Sequence, residues 1–198
     1  MDSNELTRLL EDCGALQTGH FLLSSGKHSD RYVQCAKLLQ YPALAGRVGA
    51  ALGALFDEEP CDVVVSPALG GVLIGHEVAR YLGTPFLFTE RADGKMTFRR
   101  GLELEDGARV LIIEDVVTTG KSVLEVRDAV EASRASVLRV GAIIDRRPER
   151  SFPLPFKALL QVEASAWNED EVPEHVRSIP VSKPGSRPQP QRPQEKQG

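Results

Sequence analysis

The stretch VLIIEDVVTTGKS, residues 110–122, decides the fold of this chain. Its first four residues are apolar, which predicts a buried strand of a parallel sheet. Two acids follow, Glu114 and Asp115, here called the acidic pair, and after two valines comes the polar turn TTGKS at 118–122. Apolar residues then recur with helical spacing over 123–133. The stretch therefore predicts a strand, an acidic loop and the N-terminus of a helix.

This arrangement suits a sugar phosphate. Backbone N–H groups at the start of a helix lack partners within the helix and carry partial positive charge, so they attract a phosphate. Gly120 lets the backbone approach it closely, and the hydroxyls of Thr118, Thr119 and Ser122 can donate hydrogen bonds to its oxygens. The acidic pair repels phosphate but can accept hydrogen bonds from ribose hydroxyls. One loop is thus predicted to hold both halves of a ribose 5-phosphate.

Two other interpretations of this stretch are weaker. A strand capped by a polar turn, with Ser122 as an ordinary helix N-cap, leaves the coincidence of acids, threonines, glycine and serine unexplained. Gly120, Lys121 and Ser122 also spell the end of a Walker A loop, but that loop needs a glycine where this chain has Asp115. The stretch instead resembles the phosphoribosyl-diphosphate (PRPP) motif of the type I phosphoribosyltransferase family and matches that motif at every position.

The composition favours one α/β domain. The chain has 198 residues, of which 41% are hydrophobic, enough for a sizeable core. A net charge of −4 argues against a nucleic-acid partner. No apolar run approaches the roughly 20 residues that span a bilayer, and the acidic, amphipathic start is not a signal peptide. We therefore expect a cytoplasmic protein without a membrane partner. Cys13, Cys35 and Cys61 are scattered, which predicts buried thiols and neither disulfides nor a zinc site.

Strands and helices alternate along the rest of the chain. Further strands are predicted at 62–66, 84–89, 138–144 and 156–162, and further helices at 5–14, 42–56 and 72–82. This alternation predicts a doubly wound, mostly parallel sheet flanked by helices. Ligands of such sheets bind at the carboxyl ends of the strands, where the acidic pair, Gly70, Gly71 and Arg146 all fall.

Two other segments are candidates for phosphate binding. In SPALGG, residues 66–71, Gly70 and Gly71 open N–H groups at a helix start, although a tight strand-to-helix turn uses two glycines equally well. The polar segment 90–107, most of which is predicted to be loop, contains four clustered cations, Arg91, Lys95, Arg99 and Arg100. Its composition fits a mobile basic flap over a diphosphate and a solvated hairpin equally well.

The C-terminal stretch 180–198 is rich in Pro and Gln and has no large apolar residue after Val181. Such a segment cannot bury enough surface to offset its ordering entropy, so we expect a disordered tail. Residues 1–179 are then a single domain.

From about Leu6 to Trp167 the chain resembles the orotate-specific branch of the type I family, in a divergent bacterial form. Besides the PRPP motif, the resemblance rests on three segments: the N-terminal stretch with Ser25-Gly26, Ser29 and Tyr32-Val33; SPALGG, which matches the diphosphate loop; and Asp145-Arg146. The resemblance implies transfer of phosphoribosyl from PRPP to orotate, giving orotidine 5′-phosphate and diphosphate. It also implies Mg²⁺ held mainly by PRPP, a hood over the base site from residues of about 1–40, and a homodimer whose flap closes over the neighbouring site.

The site residues follow from the motif and the resemblance together. Catalysis is assigned to Asp115, Glu114 and Lys95. The predicted PRPP contacts are Glu114, Asp115, Val116, Val117, Thr118, Thr119, Gly120, Lys121, Ser122, Gly70, Gly71, Arg91, Lys95 and Arg99. The orotate contacts that the resemblance implies are Thr118, Arg146, Tyr32 and Val33. The role of Arg146 is chemically reasonable, because a guanidinium binds a carboxylate with two charge-assisted hydrogen bonds.

The chain departs from the common family pattern at several positions. Ser24 and Gly70 stand where that pattern has lysines, Ala92 follows Arg91 where it has another lysine, and the flap contains no histidine. Two alternative functions therefore stay open. One is transfer to a purine or another base, and the other is non-catalytic binding of PRPP or a nucleotide by a regulatory module.

Overall fold

The computed structural model describes residues 1–148, 151–163 and 165–184. The helices in these residues are α1 (Ser3–Asp12), α2 (Ala36–Leu39), α3 (Pro42–Gly53), α4 (Gly70–Leu82), α5 (Lys121–Ala132) and α6 (Glu174–Arg177). The strands are β1 (Leu16–Leu22), β2 (His28–Val33), β3 (Val63–Pro67), β4 (Phe86–Ala92), β5 (Lys95–Phe98), β6 (Arg109–Val117), β7 (Ser136–Asp145), β8 (Phe156–Gln161), β9 (Ala166–Trp167) and β10 (Val181–Ser182). Contacts divide the chain into two units: Met1–Gln17 with Val33–Ala164, and Thr18–Tyr32 with the chain from Ser165 onward.

The first unit contains a six-stranded sheet in the order β5-β4-β3-β6-β7-β8. All neighbouring pairs are parallel except β4 and β5. Successive residues of β6 face opposite sides: Leu111 and Ile113 belong to one apolar core, Val110 and Ile112 to another. Because both faces are covered, the strand is a continuous apolar run without polar alternation. The predicted doubly wound, mostly parallel sheet is confirmed.

Helix packing explains the glycines of α3. A Cβ atom added at Gly49 would lie 2.4 Å from Cβ of Glu77, and one added at Gly53 would lie 2.5 Å from the ring of Tyr81. Glu77 and Tyr81 are both on α4, so the two helices approach more closely than side chains would permit. On the opposite face of the sheet, α5 buries a stripe of three valines, Val123, Val126 and Val130.

The segment 90–107, predicted to be mostly loop, begins with a hairpin. Strand β4 continues to Ala92 and pairs with β5, with Arg91 opposite Met96. The connection is Asp93-Gly94, and both residues have positive φ angles, 49° and 82°. Asp-Gly between two strands is a typical two-residue hairpin signal, and it was available in the sequence.

The second unit contains a four-stranded sheet in the order β10-β1-β2-β9. Strand β10 pairs with β1 in parallel, and β9 pairs with β2 in antiparallel orientation. The prediction of a disordered tail from residue 180 is therefore wrong for Val181 and Ser182, and residues 185–198 lie outside the described part. The predicted small N-terminal hood corresponds to this sheet. Its predicted bounds of about 1–40 are wider than the unit, because Leu6 and Leu10 of α1 are in the core of the first unit.

The structure also bears on the predicted state of the three cysteines and on membrane-spanning helices. Cys35 and Cys61 are buried free thiols, as predicted, and Cys13 is half-buried. Burial raises the pKa of the Cys35 thiol well above its ordinary value. Among the residues that the structure describes, no helix has both the length and the apolar character to cross a membrane.

Candidate active site

The acidic pair lies within strand β6 and not in a loop after it, which corrects the sequence-based prediction. Strand β6 continues to Val117 because Val116 and Val117 pair with Ile144 and Asp145 of β7. Glu114 has only 8% of its surface exposed, and Asp115 is half-buried. Both carboxyl groups are thus held on rigid backbone near the carboxyl end of the central strand.

The surroundings of the two carboxyl groups favour their protonated forms. Burial raises the pKa of both, and the negative charge of Asp115 raises the pKa of Glu114 further. The hydrogen bond between the side chains raises the pKa of Glu114 and lowers that of Asp115, so the pKa of Glu114 is raised further than that of Asp115. Backbone donors compensate in part: the N–H of Asp115 lies 3.1 Å from Oε1 of Glu114, and the N–H of Val116 lies 2.9 Å from Oδ1 of Asp115. Hydroxyl donors or a cation would stabilise the ionised pair.

The start of α4 lies directly against the acidic pair. A Cβ atom added at Gly70 would lie 2.7 Å from Oδ1 of Asp115, and one added at Gly71 would lie 3.0 Å from Oε1 of Glu114. Both glycines are therefore required by this approach and not only by the turn. Gly70 stands where the family pattern has a lysine, and a side chain at this position would require the carboxylate of Asp115 to move. No side chain caps the N-terminus of α4, which leaves its backbone N–H groups for a ligand.

The turn after β6 has the geometry of an anion site. Gly120 is the N-cap of α5 with φ of 74°, a conformation that favours glycine, and no side chain caps this helix either. Thr118 and Thr119 are exposed, while Ser122 lies inside the first turn of α5. Ser122 is therefore not the N-cap. Lys121 begins the helix, and its backbone N–H, which has no partner within the helix, donates to Oγ1 of Thr119 at 3.3 Å.

The hairpin cations differ in how they are engaged. The guanidinium of Arg91 pairs with Glu125 of α5, and its Nη1 donates to the carbonyl of Gly94 at 2.7 Å. Arg100 pairs with Glu90 through hydrogen bonds of 2.8 and 3.0 Å. Lys95 and Arg99 are exposed, and within the described ranges neither forms a salt bridge. Two of the four clustered cations, Arg91 and Arg100, thus already have carboxylate partners.

Arg146 and Arg147 follow strand β7 and form different hydrogen bonds. The backbone N–H of Arg146 donates to the carbonyl of Val117 at 2.8 Å, which places Arg146 beside the neighbouring residue Thr118. Arg147 instead binds the carboxylate of Asp145 through Nε and Nη2, both at 2.9 Å. No sequence pattern predicts a role for Arg147, and only the run Asp145-Arg146-Arg147 at a strand end marks the place.

The second unit holds the remaining predicted base contact and a separate cavity. The ring of Tyr32 packs on Phe21 with centroids 5.7 Å apart, and burial raises the pKa of its hydroxyl. Nδ1 of His20 lies 3.1 Å from the carbonyl of Ile179, and its Nε2 lies 2.7 Å from Nδ1 of His28. The two histidines face a cavity of about 650 Å³, and no sequence pattern pointed to them. Val33, the other predicted orotate contact, is half-buried and belongs to the first unit.

The fold and the loop after β6 define the class of protein, a phosphoribosyltransferase. The family model for the phosphoribosyl transferase domain matches residues 35–178. The chain is 43% identical over 188 residues to the orotate phosphoribosyltransferase of Thermoanaerobacter sp. (strain X514), covering 94% of this chain and 99% of that protein. It is 45% identical over 183 residues to the enzyme of the same name from Thermotoga maritima, covering 92% and 98%. This chain belongs to the orotate phosphoribosyltransferase family.

A solved structure supports the fold alone. The orotate phosphoribosyltransferase of Aeropyrum pernix superposes with a TM-score of 0.65 at 21% identity, covering 79% of this chain and 93% of that one.

Proposed function

We propose that this chain transfers the 5-phosphoribosyl group of PRPP to orotate, giving orotidine 5′-phosphate and diphosphate in de novo pyrimidine synthesis. The observation that carries the proposal is the position of the acidic pair. It lies on the strand that leads into α5 and in contact with the start of α4, so the N-termini of two helices adjoin it. PRPP carries phosphate groups on both sides of a ribose, and this arrangement provides an anion site for each.

The N-terminus of α5 would bind the 5′-phosphate. Its backbone N–H groups carry partial positive charge, and the hydroxyls of Thr118, Thr119 and Ser122 add hydrogen-bond donors. The same turn would contribute backbone from Gly120 and Lys121, and Val116 and Val117 would contribute backbone from the end of β6 that leads into it. Glu114 and Asp115 would accept hydrogen bonds from the ribose hydroxyls, and Gly70 and Gly71 would bring N–H groups to the diphosphate.

The donor set fits Mg²⁺ held mainly by the substrate. Magnesium is commonly bound through one or two carboxylates and substrate phosphates. In the described part of the chain no group of three or more His, Cys, Asp or Glu side chains is placed to hold a metal ion, whereas the acidic pair offers two carboxyl groups beside the proposed diphosphate site. When bound, the ion neutralises charge on the leaving diphosphate. The protein's own contribution to the metal is then limited to the acidic pair.

Breaking the anomeric C–O bond builds positive charge on the ribose, as in glycoside hydrolysis. Orotate supplies the attacking ring nitrogen, so the protein's task is to position both substrates and stabilise charge. Glu114 and Asp115 would face the developing positive charge. Lys95 and Arg99 are the exposed cations suited to the diphosphate, whereas Arg91 must first leave Glu125 to reach it.

Orotate would bind beside the first threonine of the turn. Arg146 is held next to Thr118 by its backbone hydrogen bond to Val117, and its guanidinium can take the orotate carboxylate in two hydrogen bonds. Tyr32 and Val33 are retained as proposed contacts of the base. The cytoplasmic location and the lack of nucleic-acid partners stay predictions from the sequence.

We also propose the homodimer. Leu69 and Leu73 lie one turn apart at the start of α4 and are 86% and 52% exposed. Apolar side chains exposed together beside a substrate site are typical of an interface. A second copy of the chain is the occupant that the family resemblance implies.

The deciding experiment follows the loss of orotate absorbance after PRPP and Mg²⁺ are added to the purified chain. We expect orotate to be consumed and diphosphate to be released in equal amounts. A parallel panel of purine bases with labelled PRPP tests the first alternative, and phosphoribosylation of a purine in preference to orotate would support it. Binding of PRPP without release of diphosphate would support the regulatory module.

A further inference from the structure

A buried ion pair closes the end of strand β7. Arg147 donates to both oxygens of Asp145 at 2.9 Å, and its backbone N–H donates to Oδ1 at 3.0 Å. Only 7% of the Arg147 side chain and 11% of the Asp145 side chain are exposed. A two-point contact of this kind fixes the orientation of a guanidinium, because both hydrogen bonds must be satisfied in one plane.

The oriented guanidinium lies against two phenylalanine rings. Its central carbon is 4.0 Å from the ring centre of Phe156 and 4.9 Å from that of Phe152. The two rings meet edge to face with centroids 5.8 Å apart. Contacts between a cation and aromatic faces stabilise such an arrangement, more so when water is excluded. Arg147 therefore holds Phe152 in place.

Phe152 in turn lies directly on the phosphate-binding turn. A Cβ atom added at Gly120 would be 2.4 Å from Cε2 and 3.0 Å from Cζ of Phe152, so the ring packs against the backbone at Gly120. Gly120 has a positive φ and is the N-cap of α5, where it has no side chain to cap the helix. The turn is therefore supported by a ring from another part of the chain in addition to one local hydrogen bond, from the Lys121 N–H to Oγ1 of Thr119 at 3.3 Å.

We propose that Asp145, Arg147 and Phe152, here called the brace, are positioning residues for the proposed 5′-phosphate site. The brace holds Gly120 in the conformation that directs the N–H groups of α5 towards the phosphate. It acts through backbone and touches no substrate itself. The identity of the bound phosphate rests on the proposed function.

The test uses the full chain with Phe152→Ala, which leaves the ion pair between Asp145 and Arg147 intact. Calorimetry measures the affinity for ribose 5-phosphate, and steady-state kinetics measures KM for orotate and for PRPP. We expect at least a tenfold loss of affinity for ribose 5-phosphate and a similar rise in KM for PRPP. The KM for orotate should change less than twofold, because Arg146 and Thr118 keep their places.

Phe88→Ala is the matched control, since Phe88 is a half-buried ring on β4. It should lower the melting temperature without changing the affinity for ribose 5-phosphate. Arg147→Lys keeps the charge but loses the two-point contact, so it should reproduce the effect of Phe152→Ala. If Phe152→Ala does not fold, Phe152→Leu is judged by the same measurements.

The outcomes separate the two proposals. If the parent chain binds ribose 5-phosphate and a folded Phe152 variant binds it equally well, the brace has no positioning role. Equal rises in KM for orotate and PRPP would indicate a general structural effect and would also overturn it. Failure of the parent chain itself to bind ribose 5-phosphate or PRPP would overturn the proposed function.

Discussion

Gly70 and Asp115 are in such close contact that a Cβ atom at residue 70 would lie 2.7 Å from Oδ1 of the aspartate. The two residues are far apart in sequence, one at the start of α4 and the other near the end of β6. Their contact joins the proposed diphosphate site to the proposed ribose site. The contact lies at a position where the family pattern has a lysine.

Gly70→Ala should therefore impair catalysis while the chain stays folded. The new methyl group must displace the short, partly buried side chain of Asp115, and we expect kcat/KM for PRPP to fall at least tenfold. Gly46→Ala is the control, since its Cβ would meet only the ends of two flexible side chains, Arg80 at 2.8 Å and Glu77 at 3.4 Å. In the interior of α3 that alanine should stabilise the chain by about 0.5–1 kcal/mol. Equal kinetics for Gly70→Ala and the parent would contradict the contact.

Asp115→Asn should lower kcat at least tenfold, which corresponds to about 1.4 kcal/mol in the activation barrier. The amide keeps the shape of the side chain but loses the negative charge that faces the ribose in the proposed mechanism. Steady-state rates at saturating orotate and PRPP give the answer. A variant as fast as the parent would remove the ribose-binding role from Asp115.

The acidic pair should make the ligand-free protein less stable as pH rises. Burial raises the folded-state pKa of Glu114 well above its ordinary value of 4.5, so the folded state binds this proton more tightly than the unfolded state. The contribution to stability is present below pH 4.5 and is lost as pH rises through the higher folded pKa. Other groups titrate as well, so the comparison must be made between variants.

Glu114→Gln removes this titration and should stabilise the ligand-free chain at neutral pH by about 1 kcal/mol, a typical size for a stabilising substitution. Urea unfolding at pH 5 and pH 8 measures the effect, and the advantage over the parent should be larger at pH 8. An advantage that does not change with pH would contradict the raised pKa of Glu114.

Arg146→Ala should raise KM for orotate at least tenfold while KM for PRPP changes less than threefold. The substitution removes the proposed partner of the orotate carboxylate but keeps the backbone hydrogen bond to Val117. Arg134→Ala is a suitable control, because that arginine pairs with Asp106 at the surface. Similar rises of both Michaelis constants in Arg146→Ala would exclude Arg146 from the base site.

Leu73→Glu should weaken self-association. It places a charge among the exposed apolar side chains at the start of α4, where a second copy is proposed to pack. Light scattering coupled to size-exclusion chromatography should give a dimer for the parent and a larger monomer fraction for the variant. A monomeric parent at all concentrations would argue against the proposed homodimer.

The sequence by itself was sufficient for the class of fold and for the centre of the site. Residues 110–122 predict a buried strand, an acidic pair and a helix start because each of these depends on local properties. A continuous apolar run needs cover on both faces, and the positive φ at residue 120 favours glycine. The hairpin turn at Asp93-Gly94 was readable in the same way but was interpreted as loop.

Only the tertiary structure decided which residues meet. In the structure, Gly70 contacts Asp115, Arg147 binds the carboxylate of Asp145, and the ring of Phe152 packs on Gly120. It also paired Val181 with His20, in a segment whose composition predicts disorder. These contacts join residues distant along the chain or choose between neighbours of the same type. Composition and local spacing do not predict these contacts, because the contacts depend on how closely packed strands and helices approach one another.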